Sequence, residues 1–270
     1  HDFYQAPPPY TTLFCNEKGP HNPRLVGGDI RWATRGIHIN FITTSFTSRD
    51  QEYLLGLYDG EISYVDHHIG LILRKIEELG IGEKTIIALT ADHGEEFLEH
   101  GRLKHGHGVY EEEVHVPLII SAKRKLAEGI RIKRVVETID ILPTLLYLAG
   151  IKPPPNIDGE NLFDGEKKTE AEDKSLAISI VDHLFYDTVG IRTESLKFIM
   201  TTFPFKVELF DLKKDPQERH NIASEMPDLV GSLEKLAQEY LPASKKGEHL
   251  LPETLSPEIQ DHLRALGYIQ

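Results

Sequence analysis

The chain has 270 residues, 40% hydrophobic and 27% charged, ordinary proportions for a globular protein and enough length for one large domain or a medium one plus a small one. Its net charge of −13 excludes a nucleic-acid binder working through a basic stripe. No run of apolar residues approaches the length of a membrane span, and Cys15, the single cysteine, excludes an internal disulfide framework. An anionic substrate stays open, because a metal ion with local His or Lys can reverse the field inside a cleft.

In chain order, His1 to Tyr10 is Pro-rich and reads as a surface loop leading to an extended segment. No charged-then-apolar signal pattern opens the chain. Asn16 to Arg24 is polar and turn-rich, and Ile37 to Ile42 alternates like a short strand or loop edge, with His38 a surface or packing residue. Ser48 with Gln51 three residues later forms a capping box for a helix from about Asp50 to Leu79. Tyr58, Ile62, Val65, Ile69, Ile72, Ile76 and Leu79 recur at spacings of four and three, one apolar stripe suited to packing on a sheet. Glu77 and Glu78 face away from it, Gly80 supplies the stop, and His67 and His68 are helix-surface residues.

Ile86 to Ala91 is a short apolar run, read as a strand buried on both faces of a parallel sheet. Asp92 and His93 fall where that strand ends, and ligands in open α/β sheets bind beyond the carboxyl ends of strands. A carboxylate beside an imidazole is half of a divalent-cation site, and Gly94 lets the backbone turn so that both face one point. A His-rich loop follows, with His100, His105 and His107, then Tyr110 to His115 and the apolar run Val116 to Ser121. His100 and His115 have acidic neighbours, so plain hydrogen bonds account for them. His107 is read either as a loop residue between Gly106 and Gly108 or as a second anion contact.

Lys123 to Lys125 is a solvated basic loop, and Ile130 to Val135 alternates like a strand with one wet face. Thr138 to Leu145 opens a second helix that ends at Gly150, with Pro143 in the first turn. Phe163 to Lys174 is charged and turn-prone, a subdomain boundary. Four strand-like runs follow, Leu176–Val181, Thr188–Thr193, Leu196–Thr201 and Val207–Phe210, which suggest an antiparallel sheet. Leu229, Leu233, Leu236 and Tyr240 mark an amphipathic helix that packs on it. The chain therefore divides into residues 1–163, a small α+β subdomain over 164–241, and a tail over 242–270 with a short helix near Ile259 to Leu266.

The ordered motifs Thr90-Ala91-Asp92-His93-Gly94-Glu95, Glu99-His100-Gly101, His105-Gly106, Tyr110-Glu111-Glu112 and Val116 to Ile120 resemble the sulfatases of the alkaline-phosphatase-like superfamily. Tyr58 to Ile62 and Tyr64 to Asp66 resemble the helix before the family's metal-binding strand. Thr138 to Leu145 resembles its Asp-x-x-Pro-Thr-Leu helix, and Glu208 to Leu212, Asp215-Pro216, Glu218 and Asn221 to Ala223 its C-terminal signature. The resemblance covers most of the chain from Asp50 onward. It implies an alkaline-phosphatase-like α/β fold, a mixed or parallel sheet flanked by helices and here incomplete, with a C-terminal antiparallel sheet and helix.

By the same resemblance, Asp92 and His93 are metal ligands, His105 is the residue that holds the sulfate or phosphate oxygens, and the reaction is hydrolysis of a sulfate or phosphate ester. One divalent metal ion is implied, calcium favoured and magnesium or manganese compatible. The partners are small-molecule or saccharide esters, not nucleic acid. The family's paired-carboxylate metal motif and its Cys/Ser-x-Pro/Ala-x-Arg formylglycine motif are expected upstream, which reads this chain as the C-terminal portion of a longer protein, inactive alone. Ser45 to Arg49 resembles the nucleophile motif only superficially, since it lies too late in the family order. At the family's substrate-contacting His stands Ala6 or Pro7, with His1 several residues too early. Two alternatives remain: a phosphodiesterase or phosphonate-ester hydrolase of the same superfamily, or a non-catalytic binding or scaffold homologue.

Overall fold

The computed structural model describes residues 4–15, 18–22, 46–163, 176–182 and 186–246, with side chains of the last helix described as far as 241. They divide into two compact units, His1–Ser175 and Leu176–Gln270. The expectations for His1, for Ile37 to Ile42 with His38, for most of the boundary between Phe163 and Lys174, and for the tail helix near Ile259 lie outside the described residues.

The first unit is organised on helix α1 (Ser48–Glu78). Its capping box is Thr47 with Asp50, one residue earlier than the Ser48–Gln51 pair, because the side chain of Thr47 accepts from the Asp50 amide while Asp50 accepts from the Thr47 amide. Gly80 takes φ +64 just past the end, as a helix stop requires. The buried face is Tyr53, Leu54 and Leu57 in the first three turns. The apolar stripe beyond is largely open to solvent: Ile62, Val65, Ile72 and Leu79 are exposed, which corrects the expectation that it packs on a sheet. The sequence marks the stripe, and no described segment of this unit covers it. Gly56 and Gly60 serve a close approach instead, since a Cβ on either would meet the carbonyl oxygens of Phe14 and Tyr10 at 2.7 and 2.3 Å.

After α1, strand β1 (Ile87–Thr90) pairs antiparallel with β4 (Leu118–Ser121), in register Ile87 to Ser121 through Thr90 to Leu118. A strand buried on both faces of a parallel sheet is therefore not what forms. β1 has β4 as its one ladder neighbour among the described residues, and Ala88 and Thr90 are exposed. Between them lie the two-residue strands β2 (Glu96–Phe97) and β3 (Leu103–Lys104), a small hairpin, and the one-turn helix α2 (Glu111–Val114). Phe97 and Leu103 are buried with Tyr4, Tyr53, Leu54 and Leu57 in one cluster. Each such burial contributes about 1.5–3 kcal/mol, and this cluster fastens the His-rich loop to α1.

Ile130 to Val135 forms no strand; its alternating pattern finds no neighbour to pair with among the described residues, and Ile130 and Ile132 stay exposed. A turn of 3-10 helix over Thr138–Asp140 leads into helix α3 (Ile141–Ala149), closed by Gly150 at φ +74.

The second unit is a four-stranded antiparallel sheet in sequential order: β5 (Ala177–Asp182), β6 (Asp187–Arg192), β7 (Leu196–Thr202) and β8 (Phe205–Asp211). Helix α4 (Pro227–Lys246) lays Leu229, Leu233, Leu236, Ala237 and Tyr240 against Val189, Ile191, Phe198, Met200 and Leu209 of the sheet. Asn221 ties the intervening turn to β8, accepting from the Leu209 amide at 3.0 Å and donating to the Val207 carbonyl at 3.1 Å.

Candidate active site

Asp92 and His93 follow β1 after one residue, Ala91. The Asp92 side chain is 71% exposed, and its Oδ1 lies 3.8 Å from His93 Nε2. Oδ1 also accepts from the His93 amide at 3.1 Å, which holds the carboxylate toward the ring. His93 Nδ1 is 2.8 Å from the Gly94 carbonyl oxygen. A carbonyl only accepts, so Nδ1 carries the proton, and the neutral ring keeps its lone pair on Nε2, on the Asp92 side. A hard oxygen and an imidazole nitrogen at that separation fit two ligands of one divalent cation.

His105 joins them across space. Its ring stacks on His93 with centroids 3.8 Å apart and planes 24° from parallel. Its Nδ1 lies 2.9 Å from Glu95 Oε2. The other carboxylate oxygen of Glu95 accepts from the Tyr4 hydroxyl at 2.8 Å. Burial, and secondarily the Glu95 charge, push the Tyr4 phenol well above its ordinary range, so it remains a donor. His93, Glu95 and His105 offer one ligand atom each within 4.8 Å of one another. The Glu95 oxygens are already engaged by Tyr4 and His105, while the Asp92 carboxylate stands exposed beside His93 Nε2.

Gly94 takes part through proximity rather than through an unusual turn. A Cβ there would lie 1.9 Å from the Glu112 carbonyl oxygen. The Gly94 and Glu95 amides donate to the carbonyls of Glu113 and Glu112 at 2.7 and 2.9 Å, so α2 clamps the segment that carries the site.

Two buried carboxylates shape the His-rich loop. Glu96 accepts from the amides of His100 and Arg102 at 3.0 and 2.7 Å. Glu113 accepts from those of Gly106 and His107 at 2.6 and 3.2 Å, the residues next after His105. Burial raises both above the usual carboxylate range, Glu113 to about 6. Each keeps one buried oxygen, Glu96 Oε2 and Glu113 Oε1, without a hydrogen-bond partner among the described residues.

Of the residues named by the sequence, Asp92, His93 and His105 converge. His107 shares the loop, with its amide on Glu113 and its carbonyl on Arg102. His100 pairs with Glu112 and stacks on Tyr110, and His115 pairs with Glu111. Ala6 is buried and brings no polar side chain. Sequence reasoning missed the parts played by Glu95, Glu96, Glu113 and Tyr4. The adjacent acids after Asp92-His93-Gly94, in a segment otherwise destined for burial, were the available signal; Tyr4 had none.

Residues 1–151 match the family described as sulfatase, and residues 99–242 match the one described as N-sulphoglucosamine sulphohydrolase, C-terminal. The chain belongs to the sulfatase family. Bovine (Bos taurus) arylsulfatase K is 32% identical over 204 residues, covering 72% of this chain and 37% of its own length. N-acetylglucosamine-6-O-sulfatase of Bacteroides thetaiotaomicron is 30% identical over 205 residues, covering 70% and 36%. This sulfatase-family chain thus spans little more than a third of the curated relatives it matches.

Among solved structures, one in complex with its substrate D-glucosamine-2-N,6-O-disulfate superposes with TM-score 0.61 at 26% identity, covering 83% of this chain and 48% of that one. The phosphonate monoester hydrolase of Agrobacterium radiobacter superposes with TM-score 0.67 at 23% identity, covering 86% and 53%. The fold is the alkaline-phosphatase-like α/β fold of the sulfatases, carrying a C-terminal antiparallel sheet and helix.

Proposed function

We propose that this chain supplies part of the active site of a metal-dependent sulfuric ester hydrolase. The observation that carries the reading is the meeting of Asp92 Oδ1 with His93 Nε2 at 3.8 Å, with His105 stacked on that imidazole. Asp92 and His93 would hold the divalent cation, calcium favoured and magnesium or manganese compatible. Such a cation polarises the non-bridging oxygens of an ester and lowers the pKa of the attacking group. His105 contacts the sulfuryl oxygens, stabilising their charge or protonating the leaving oxygen. His107 is a second candidate anion contact from the same loop.

The substrate class is a saccharide or small-molecule sulfate ester. The named activities of the relatives support it, one sulfatase acting on N-acetylglucosamine-6-O-sulfate by its name and one structure holding a disulfated glucosamine. Two protein ligands bind a cation weakly, so the chain by itself is inactive. The attacking group, a formylglycine in the sulfatase reading, belongs to sequence outside these residues. The phosphonate monoester hydrolase superposition favours a second reading, hydrolysis of a phosphonate or phosphate diester on the same residues.

The test is hydrolysis of an aryl sulfate, glucosamine 6-sulfate and an aryl phosphonate by the protein of the complete reading frame and by this chain alone, with calcium and with chelator. Calcium-dependent sulfate release by the former and none by the latter is expected. Faster phosphonate release moves the assignment to the second reading. No turnover of any ester removes both, and turnover by this chain alone removes the claim of inactivity.

A further inference from the structure

We propose that Glu95 is a positioning residue for His105: its carboxylate, itself fixed by the Tyr4 hydroxyl, holds the hydrogen on His105 Nδ1 and so dedicates Nε2 to the ester. The use of this arrangement rests on the hydrolase reading above; its existence does not.

Three observations support the assignment. The first is burial. The Glu95 side chain is 6% exposed and that of His105 22%, so water competes little for either end of the bond between them. The second is a chain of hydrogen bonds with one possible direction. A phenol donates to Glu95 Oε1 at 2.8 Å, and His105 Nδ1 lies 2.9 Å from Oε2. An ionised carboxylate only accepts, so Nδ1 must be the donor.

The third is that neither end can swing away. Tyr4 is 2% exposed and packs its ring against Tyr58 and Phe97, with centroids 5.8 and 5.7 Å away. The Glu95 backbone is held by the Glu112 carbonyl at 2.9 Å, and the His105 ring is covered on one face by His93 at 3.8 Å.

The consequence is chemical. In water a neutral histidine ring prefers its hydrogen on Nε2. Here Glu95 reverses that preference, because moving the hydrogen to Nε2 would set a lone pair against a buried carboxylate. The neutral ring then presents Nε2 as an acceptor. Carboxylates that fix the tautomer and orientation of metal-ligating imidazoles are worth roughly 10–100-fold, and an effect of that order is expected for His105.

The experiment reads the hydrogen directly on this chain, with neither substrate nor metal added. Protein labelled with nitrogen-15 at histidine is studied by long-range proton–nitrogen correlation at mildly alkaline pH, with His105 assigned by the signals that vanish in His105→Gln. The expected result is a single Nδ1–H tautomer in the parent and a return to mainly Nε2–H in Glu95→Ala. A parent His105 in the Nε2–H form, or a mixture of both, overturns the proposal even if no variant folds. An unchanged Nδ1–H tautomer in folded Glu95→Ala also overturns it. In the protein of the complete reading frame, Glu95→Ala should lower kcat roughly 10–100-fold with KM nearly unchanged. Absent turnover beside the expected tautomer would count against the hydrolase reading and leave this one standing.

Discussion

Gly94 lies so close to the Glu112 carbonyl that a Cβ on Gly94 would sit 1.9 Å from its oxygen. The contact is backbone to backbone, with the Gly94 and Glu95 amides bonded to Glu113 and Glu112 on either side, so no flexible side chain can move aside. Gly94→Ala should destabilise the first unit by on the order of 3 kcal/mol and loosen the segment between His93 and Glu95. Urea denaturation of the variant against the parent checks it; a midpoint within error of the parent would contradict the close approach.

Glu113 gives the molecule a dependence on acid. Burial raises its carboxyl from 4.5 to about 6 in the folded chain. Between those values the folded state binds more protons than the unfolded state, so stability falls as pH rises through the window. The contribution is fully present below about 4.5, lost by the time the pH passes about 6, and on the order of 1–2 kcal/mol. Glu113→Gln keeps an acceptor for the Gly106 and His107 amides and removes the buried charge. Its melting temperature should exceed the parent's at about pH 7.5, with the difference closing at pH values below the window.

Cation affinity should follow Asp92 and His93 and ignore His107. Calcium titrated calorimetrically into this chain should bind weakly, with Asp92→Asn or His93→Ala lowering the affinity tenfold or more, an effect of roughly 1.4 kcal/mol. His107→Ala should leave it unchanged. Affinity should also fall in acid, because ligation requires a neutral imidazole. Equal loss in all three variants would mean that the cation sits elsewhere in the loop.

Leu209 of β8 is fully buried in the cluster that the sheet shares with α4. Leu209→Ala should cost about 2–5 kcal/mol, read as early loss of the second unit's amide protection in hydrogen exchange. Retained protection would show that the helix is not seated on that sheet.

Some of this molecule was legible before its coordinates, and the reasons differ by element. The strands β5 to β8 and the helix α4 announced themselves because each carries one apolar face with polar turns between, and both ends of that pairing lie in the same short stretch. The position of α1 was equally clear. Its buried face was not: Tyr53, Leu54 and Leu57 are covered while Ile62, Val65 and Ile72 are open, because periodicity locates an apolar stripe without saying what lies against it. Ile130 to Val135 shows the same limit for strands, since alternation needs a neighbour before it becomes a ladder.

At the candidate site, Asp92, His93 and His105 were named through an ordered motif. Their support was not, because it consists of backbone carbonyls of α2, carboxylates spent on loop amides, and a bond from Tyr4 to Glu95 across 91 positions of chain. Contacts of that kind have no period and leave no local composition to read.

The bare apolar row along the outer length of α1 has a consequence for handling. Ile62, Val65, Ile72 and Leu79 lie in water beside polar neighbours, joined elsewhere on the unit by the uncovered Ile119 of β4. Adhesive surface of this kind draws molecules together as their concentration rises. Sedimentation of this chain should therefore show self-association that grows with loading. Replacing Val65 and Ile72 together by Glu should abolish it while the melting temperature holds.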